Sequence, residues 1–151
     1  MAGTPAFSLV AGILPATFFR NQGQFQTMND SASLDGILVL DLTRGAAGAM
    51  ATMALADHGA RVVRLLGSED EPLREGGYVI WDRGKEWTRC DVPDSLEVES
   101  DYRAWLSHAD VLVEDYAPDL RPDAVTHEHT QAVNPRLSCC SITAYGLHGP
   151  L

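Results

Sequence analysis

Short apolar runs alternate with longer helical stretches over most of the chain. Ile37 to Leu42 (ILVLDL) is nearly continuous in apolar residues, which is typical of a strand buried on both faces. Gly45 to Gly48 predicts a tight turn, and Ala49 to His58 is rich in strong helix formers, with Gly59 as a natural C-terminal stop. Ala60 to Leu66 is apolar enough for a second strand. Together these segments predict a β-α-β unit with parallel strands.

The same alternation continues to the end of the chain. The further predicted elements are a polar loop at 67–77, a short strand at Trp87–Val92, a helix capped by Ser100 and running through Leu106, a strand at Asp110–Val113, a helix from a Thr126 cap to Val133, and a buried strand at Arg136–Thr143. Strands that alternate with helices indicate an α/β fold: a Rossmann-like open parallel sheet with helices on both faces. Ligands in such folds bind at the carboxyl ends of the strands.

The first 33 residues show no sustained hydrophobic period. We expect 1–33 to be a disordered tail, or a stretch upstream of a true start at Met28. The apolar stretch Pro5 to Phe19 contains Pro15, is too short to span a bilayer and has no basic residue before it, so a secretory signal is not expected. Residues 34–151 are then the folded part.

Charge and cysteine content narrow the function classes. The chain has 151 residues and a formal net charge of -10, which argues against a nucleic-acid or anionic-membrane partner. The three cysteines, Cys90, Cys139 and Cys140, have no spacing that suits a disulfide framework or a zinc site, and they indicate a reducing cytoplasm. Cys139 and Cys140 are expected to be inert thiols packed in a buried strand. His127 and His129 are two apart, so they do not predict a metal pair.

Seven sequence segments occur in an order that is found in one enzyme family. They are Leu34–Arg44 (LDGILVLDLTR), Leu55–Arg64 (LADHGARVVR), Arg83–Lys85 (RGK), Ala109–Glu114 (ADVLVE), Asn134–Leu137 (NPRL), Cys140–Gly146 (CSITAYG) and Gly149–Pro150 (GP). The series resembles the family III CoA-transferases, or CaiB/BaiF family, which includes formyl-CoA transferase, carnitine-CoA transferase and α-methylacyl-CoA racemase. No segment is specific alone, and their common order carries the resemblance.

The resemblance implies what the chain does. Residues 34–151 correspond to the N-terminal part of the large CoA-transferase domain, with an incomplete sheet. The implied activity is transfer of CoA between an acyl-CoA and a carboxylic acid, or a related acyl-CoA racemisation. Coenzyme A thioester is then the substrate, with no permanently bound cofactor, and the full-length protein is a cytoplasmic homodimer. The family's nucleophilic aspartate lies beyond the position that matches Leu151, so no catalytic residue is assigned and the chain alone is expected to be inactive.

Two basic residues are candidates for the CoA phosphates. Lys85 resembles a family lysine near those phosphates, and Arg83 lies beside it. A cation there would donate charge-assisted hydrogen bonds to phosphate, whereas the structural alternative is a solvated surface turn.

Four further candidates follow strand ends. The segment Thr43 to Ala49, which includes the candidates Gly45 and Ala46, either brings backbone amides to a ligand at a helix N-terminus or lets the helix pack closely on the sheet. Asp115 stands where the family has an amide close to CoA, and Tyr116 either stacks on adenine or packs against the core. Asp41 is interpreted as a turn or capping residue.

Some positions depart from the family pattern. Ala49 replaces a proline, Leu66 an acid and Asp82 an asparagine, while Gly45 and Ala46 replace bulkier residues. After Pro118 the segment is one residue short, and a family arginine has no clear match.

Two other function classes remain open. A dinucleotide-binding Rossmann domain fits the strand, Gly-rich turn and helix, with Glu69 or Asp70 as the ribose acid, although the G-x-G-x-x-G spacing is absent. A non-catalytic remnant that binds a partner chain is the second. Calorimetric titration with CoA and with NAD discriminates between the three.

Overall fold

The protein is a parallel sheet flanked by helices, in a computed structural model that describes residues 32–68, 78–94 and 100–147. The strands are β1 (Leu38–Asp41), β2 (Arg61–Leu66), β3 (Glu86–Arg89), β4 (Val111–Glu114) and β5 (Ser138–Ser141). The helices are α1 (Ala46–Asp57), α2 (Tyr78–Trp81), α3 (Asp101–His108) and α4 (His127–Val133), and two short 3₁₀ turns, Pro118–Leu120 and Asp123–Val125, precede α4.

The strand order places the first strand at the centre of the sheet. The five strands are arranged β3-β2-β1-β4-β5, and every neighbouring pair is parallel. The chain builds outward from β1 to β3, then crosses to β4 on the other side of β1. The direction in which strands are added to the sheet therefore reverses between β1 and β4. Open α/β sheets bind ligands at this point of reversal.

Helices cover both faces of this sheet. One face carries a core cluster of Val39, Ala60, Val62 and Val113, against which Leu55 and Ala56 of α1 pack. The other face carries a larger cluster in which Tyr102, Trp105 and Leu106 of α3 pack on the strands. The predicted α/β fold with helices on both faces is thus confirmed.

The predicted order of strands and helices is confirmed, with shifts at several ends. The predicted turn at Gly45–Gly48 is wrong, because α1 already begins at Ala46 and Gly48 lies within its first turn. The predicted strand at Trp87–Val92 begins one residue earlier and stops at Arg89. Ser100 caps α3 as predicted, and its side chain accepts a hydrogen bond from Arg103 N at 3.2 Å. Thr126 is the N-cap of α4, but its hydroxyl donates to Asp123 O instead of accepting from the helix.

The last strand differs most from its prediction. A buried strand was expected at Arg136–Thr143, whereas β5 spans Ser138–Ser141 at the edge of the described sheet and pairs with β4 alone. Its side chains alternate in exposure, so Cys139 is half-buried and Cys140 is exposed. The prediction that both are packed thiols is therefore wrong for Cys140. The physical reason is that a strand at the described edge is covered on one face only.

Two predictions concern residues that the structure does not describe. The expected tail lies outside the described residues up to position 31, and the expected loop at 67–77 lies outside them from position 69. Within the described ranges, none of the helices has the length and apolar character needed to cross a membrane.

Candidate functional site

The carboxyl ends of β1 and β4, where the strand order reverses, define the space that is called the crevice below. One carboxylate links its two sides. Asp115 follows β4, and its Oδ1 and Oδ2 accept hydrogen bonds from Arg44 N at 2.8 Å and Gly45 N at 2.7 Å. Gly45 is the N-cap of α1, and no side chain of its own segment caps that helix. Asp115 therefore binds the backbone amides of the N-cap residue and of the residue before it, and it places a negative charge at the positive end of α1 from a segment 70 residues away in the chain.

Small residues let this helix end approach the sheet. A Cβ atom on Gly45 would lie 2.9 Å from Asp115 Oδ2, and one on Gly48 would lie 2.4 Å from the Thr43 side chain. Both contacts are too short for a real Cβ atom, so a side chain at Gly48 would collide with Thr43, and one at Gly45 would force the Asp115 carboxylate to move. This geometry supports the alternative that these small residues let α1 pack closely on the sheet. Ala46 is the first residue of α1 and is exposed beside the same crevice.

One aromatic side chain, that of Tyr116, lies beside the crevice. Tyr116 is half-buried and packs against the larger core cluster, and the guanidinium of Arg44 lies 5.8 Å from its ring centroid. This geometry is within the range of a cation–π contact. Four of the predicted binding residues, Gly45, Ala46, Asp115 and Tyr116, therefore lie together at the carboxyl ends of β1 and β4.

Lys85 does not lie in that crevice. Its side chain is 2% exposed, and its Nζ donates to Asp41 Oδ2 at 2.9 Å, to Ala49 O at 3.1 Å and to Asp82 Oδ1 at 3.3 Å. A lysine ammonium has three donors, and these three bonds use all of them. In this structure Lys85 is therefore a buried counter-ion beneath α1, and its contact with phosphate stays a prediction.

Asp41 is the centre of a buried polar network. Its Oδ1 accepts from Thr43 N and Thr43 Oγ1, and its Oδ2 accepts from Thr52 Oγ1 and Lys85 Nζ. The bond from Thr43 N is the two-residue turn that aspartate forms at strand ends. Asp41 thus joins β1, α1 and the segment before β3, which makes it a structural residue.

A second buried cation completes the network. Arg64 of β2 donates to both carboxylate oxygens of Asp82, at 2.6 and 2.8 Å, and to Thr43 O at 3.2 Å. Two carboxylates, Asp41 and Asp82, thereby balance two cations, Lys85 and Arg64. A buried ion network of this kind is stable only when its members are paired. Arg64 was not predicted as part of this network, although a charged residue inside an apolar strand indicates a nearby residue of opposite charge.

A small cleft opens beside this network. It is lined by Arg64, Leu66, Asp82, Lys85, Glu86 and Trp87. The cleft holds about 40 Å³, which is enough for a few water molecules and too small for a coenzyme.

Arg83 lies away from both the crevice and the network. It is exposed and pairs through Nη2 with Asp57 Oδ2 at the end of α1. An exposed ion pair of this kind contributes little to stability. The predicted neighbours Arg83 and Lys85 therefore point to different surroundings.

Arg121 forms an ion pair that the sequence analysis missed. Its Nε donates to Glu114 Oε1 at 3.0 Å, and its Nη2 donates to Val125 O and Ser141 Oγ. Glu114 is buried, and its Oε2 accepts from Tyr116 N at 2.8 Å. The pair ties the ends of β4 and β5 together and fixes the backbone that carries Tyr116. The feature of the sequence that indicates this pair is Glu114, an acid at the end of an apolar strand, because a buried acid needs a nearby cation.

Cys90 and Tyr102 have raised pKa values because they are buried in the core, and not because they belong to a functional site. Burial raises the pKa of the Cys90 thiol from 9.0 to about 12, and the charges of Asp101 and Asp91 add to the shift. Burial likewise raises the pKa of the Tyr102 hydroxyl well above its ordinary value. Neither group is prepared as a nucleophile, because a reactive thiol needs a lowered pKa. No group of three or more potential metal ligands occurs within the ranges 32–68, 78–94 and 100–147.

Known proteins resemble this chain in sequence. A succinyl-CoA:glutarate CoA-transferase of Homo sapiens is 32% identical over 136 residues, a match that covers 82% of this chain and 31% of the human protein. An acetyl-CoA:oxalate CoA-transferase of Acetobacter aceti is 33% identical over 131 residues and is covered to 33%. The chain thus spans about a third of the length of these relatives.

Solved structures agree with the sequence matches. The crystal structure of Rv3272 from Mycobacterium tuberculosis superposes with a TM-score of 0.67 at 30% identity, over 81% of this chain and 35% of that one. A CaiB/BaiF family protein from Brucella suis gives a TM-score of 0.65 at 28% identity, over 80% of this chain and 35% of that one. The family model for CoA-transferase family III matches residues 34–151. The parallel sheet, its central crevice and these matches together show that the chain belongs to CoA-transferase family III.

Proposed function

We propose that the chain supplies the N-terminal part of an enzyme that moves CoA between an acyl-CoA and a carboxylic acid. The observation that carries the proposal is the family match over residues 34–151, which includes the strand ends that form the crevice. The names of the relatives support the substrate class, since they pair an acyl-CoA with glutarate or oxalate. Coenzyme A thioester is then a substrate rather than a resident cofactor.

We place the coenzyme at the crevice between β1 and β4. Gly45, Ala46, Asp115 and Tyr116 lie there, and the Tyr116 ring is held in place by its backbone bond to the buried Glu114. Parallel open sheets bind ligands at this end of their strands. The ring offers a face on which a planar group such as adenine stacks.

The two predicted phosphate contacts are supported unequally. Arg83 is exposed and its ion pair is with an exposed carboxylate, so it can exchange Asp57 for a phosphate at little cost. Lys85 would have to leave Asp41 unpaired in the core, which is costly. The contacts of Lys85 therefore favour a structural role, and its contact with CoA stays a prediction.

No carboxylate of the described crevice is positioned as a nucleophile. The transfer needs a carboxylate that attacks the donor thioester, forms a mixed anhydride and releases the CoA thiolate. The thiolate then attacks the anhydride, which gives an enzyme thioester and the free acid. Asp41 and Asp115 are each bound by two or more donors, and each holds the fold together. The nucleophile that the family resemblance implies matches none of the 151 residues. A homodimer in the cytoplasm is part of the same proposal.

A calorimetric titration separates the candidate functions. Heat on addition of CoA and none on addition of NAD is the expected result. The reverse would favour a dinucleotide-binding domain, and no heat from either would favour a domain that binds only a partner chain.

A transfer assay separates binding from chemistry. The chain, mixed with acyl-CoA donors and labelled acids, is expected to yield no labelled acyl-CoA above buffer. Turnover that disappears in Asp41→Asn or Asp115→Asn would contradict this and would make one of these carboxylates the nucleophile.

A further inference from the structure

The amino end of α1 carries positive charge that its own residues do not offset. The helix has 12 residues, its N-cap is Gly45, no acidic residue occurs in its first turn, and no cap hydrogen bond comes from a side chain of its own segment. The aligned peptide dipoles of such a helix place about half a positive charge at this end. In doubly wound folds, that end is where a ligand phosphate binds.

In this chain the position is already taken by an anion. Both oxygens of the Asp115 carboxylate are bound to consecutive backbone amides, at 2.8 Å from Arg44 N and 2.7 Å from Gly45 N. These distances are typical of charge-assisted hydrogen bonds. The contact is also close, since a Cβ on Gly45 would lie only 2.9 Å from Oδ2. A phosphate that bound the same amides would first have to displace the carboxylate.

We propose that Asp115 is an internal anion that excludes phosphate groups of a ligand from the crevice between β1 and β4. Asp115 acts in two ways: it occupies the two amide donors, and its negative charge repels a second anion at the same place. As part of the chain it competes at a high effective concentration. Asp115 is therefore a specificity-determining residue and not a direct phosphate ligand.

The Asp115 carboxylate also affects how a bound coenzyme is oriented, which rests on the proposed function. If CoA lies in the crevice, the groups that face Gly45 are its uncharged ones, and its phosphates lie against cations elsewhere. The same exclusion opposes the dinucleotide alternative, because a dinucleotide places its pyrophosphate at this helix end.

The test uses inorganic pyrophosphate as the probe and a charge-matched control. Asp115→Asn keeps the size of the side chain but removes its charge and one acceptor. Asp119→Asn removes the same charge from an exposed position on the 3₁₀ turn nearby. Calorimetry is expected to show that Asp115→Asn binds pyrophosphate at least tenfold more tightly than wild type, while Asp119→Asn stays within about twofold. Equal affinities for wild type and Asp115→Asn, or an equal gain in Asp119→Asn, would overturn the proposal.

A second measurement needs only the wild-type chain, so it holds even if Asp115→Asn does not fold. The backbone amide resonances of Arg44 and Gly45 are followed by NMR while pyrophosphate is added. The proposal expects these two resonances to stay in place, and their saturable movement would overturn it. Pyrophosphate contains no part of CoA beyond its phosphate chemistry, so failure of the wild type to bind CoA would count against the proposed function alone.

Discussion

At the scale of single residues, the buried pair Asp41–Lys85 shows how a family-like motif can have a structural role. The lysine that suggested a phosphate contact is 2% exposed, and the carboxylate it binds is fully buried. Ions in such surroundings are stable only as a pair, because each has lost its hydration.

The pair makes a prediction about stability. Lys85→Met keeps the length of the side chain but leaves Asp41 with no cation, so it is expected to lower the free energy of unfolding by about 3–5 kcal/mol. Urea titration measures this change. The matched control Arg83→Ala breaks the exposed pair with Asp57 and is expected to cost at most about 1 kcal/mol.

The double variant Lys85→Met with Asp41→Leu sharpens the interpretation. If the unpaired charge is the cause of the loss, the double variant regains part of it. A Lys85→Met chain as stable as wild type would show that the pair contributes nothing, and Lys85 would return as a candidate ligand contact.

Cysteine reactivity is a second prediction at this scale. At about pH 8 a thiol reagent is expected to modify the exposed Cys140 rapidly and the buried Cys90 only after unfolding, because burial raises the pKa of Cys90 to about 12. Labelling followed by peptide mass analysis measures both, with Cys140→Ser as the control. Rapid labelling of Cys90 in the folded chain would contradict the packing of this region.

The same pKa sets a direction for stability against pH. The folded pKa of Cys90 lies above its unfolded value of 9.0, so the thiol contributes stability that is fully present below about pH 9. That contribution is lost as the pH rises toward 12. Cys90→Ala is therefore expected to lose less stability than wild type between about pH 8 and pH 11.

At the scale of elements, α1 is positioned by contacts that a sequence pattern does not contain. The helix was predicted, but its start was placed three residues late, since Gly48 in a glycine-rich stretch indicates a turn. The structure shows that Gly48 is needed for close approach to Thr43, and that Asp115, which follows β4, binds the amide of the N-cap residue Gly45. Hydrophobic periodicity is local information, whereas both of these partners lie outside the helix.

The close approach of Gly48 to Thr43 predicts a mutational effect opposite to the one expected from helix propensity. Alanine is favoured over glycine in a helix by about 1 kcal/mol, so an unconstrained Gly48→Ala would stabilise α1. A Cβ there would instead lie 2.4 Å from the Thr43 side chain, and we expect a net loss of about 1–3 kcal/mol in urea unfolding. Ala47→Gly, at an exposed position of the same turn, tests the propensity term alone. A Gly48→Ala chain that is more stable than wild type would mean that the helix can shift away from the sheet.

The candidate site was predictable only in part. Gly45, Ala46, Asp115 and Tyr116 were found because they follow strand ends, and parallel strands bring such ends to one edge. Arg64 and Arg121 were missed because each pairs with an acid, 18 and 7 residues away respectively, that no helix or strand period places beside it. The resemblance located Lys85 but not its burial, since burial depends on where α1 lies.

At the scale of the whole molecule, the described sheet ends in two strands with one neighbour each, β3 and β5. Large apolar side chains are exposed at several places: Met50, Val79, Ile80, Trp87, Leu120 and Tyr145. Edge strands and exposed apolar surface are the features through which chains associate.

We therefore predict that the isolated chain self-associates. Light-scattering chromatography is expected to give a mass that rises with concentration. Trp87→Lys places a charge on the edge strand β3 and is expected to reduce this rise, whereas Asp119→Asn, on an exposed turn away from the sheet, is the control. A constant monomer mass at high concentration would contradict the prediction.

The link from Asp115 to the first turn of α1 also sets an order of events during synthesis. The amides of Arg44 and Gly45 leave the ribosome 71 and 70 residues before the carboxylate that binds them. Until β4 has docked beside β1, these two amides have only water as their acceptor, and the first turn of the nascent helix is expected to fray. The β1-α1-β2 segment is therefore expected to reach its final form only when β4 has paired with β1 and β5 with β4.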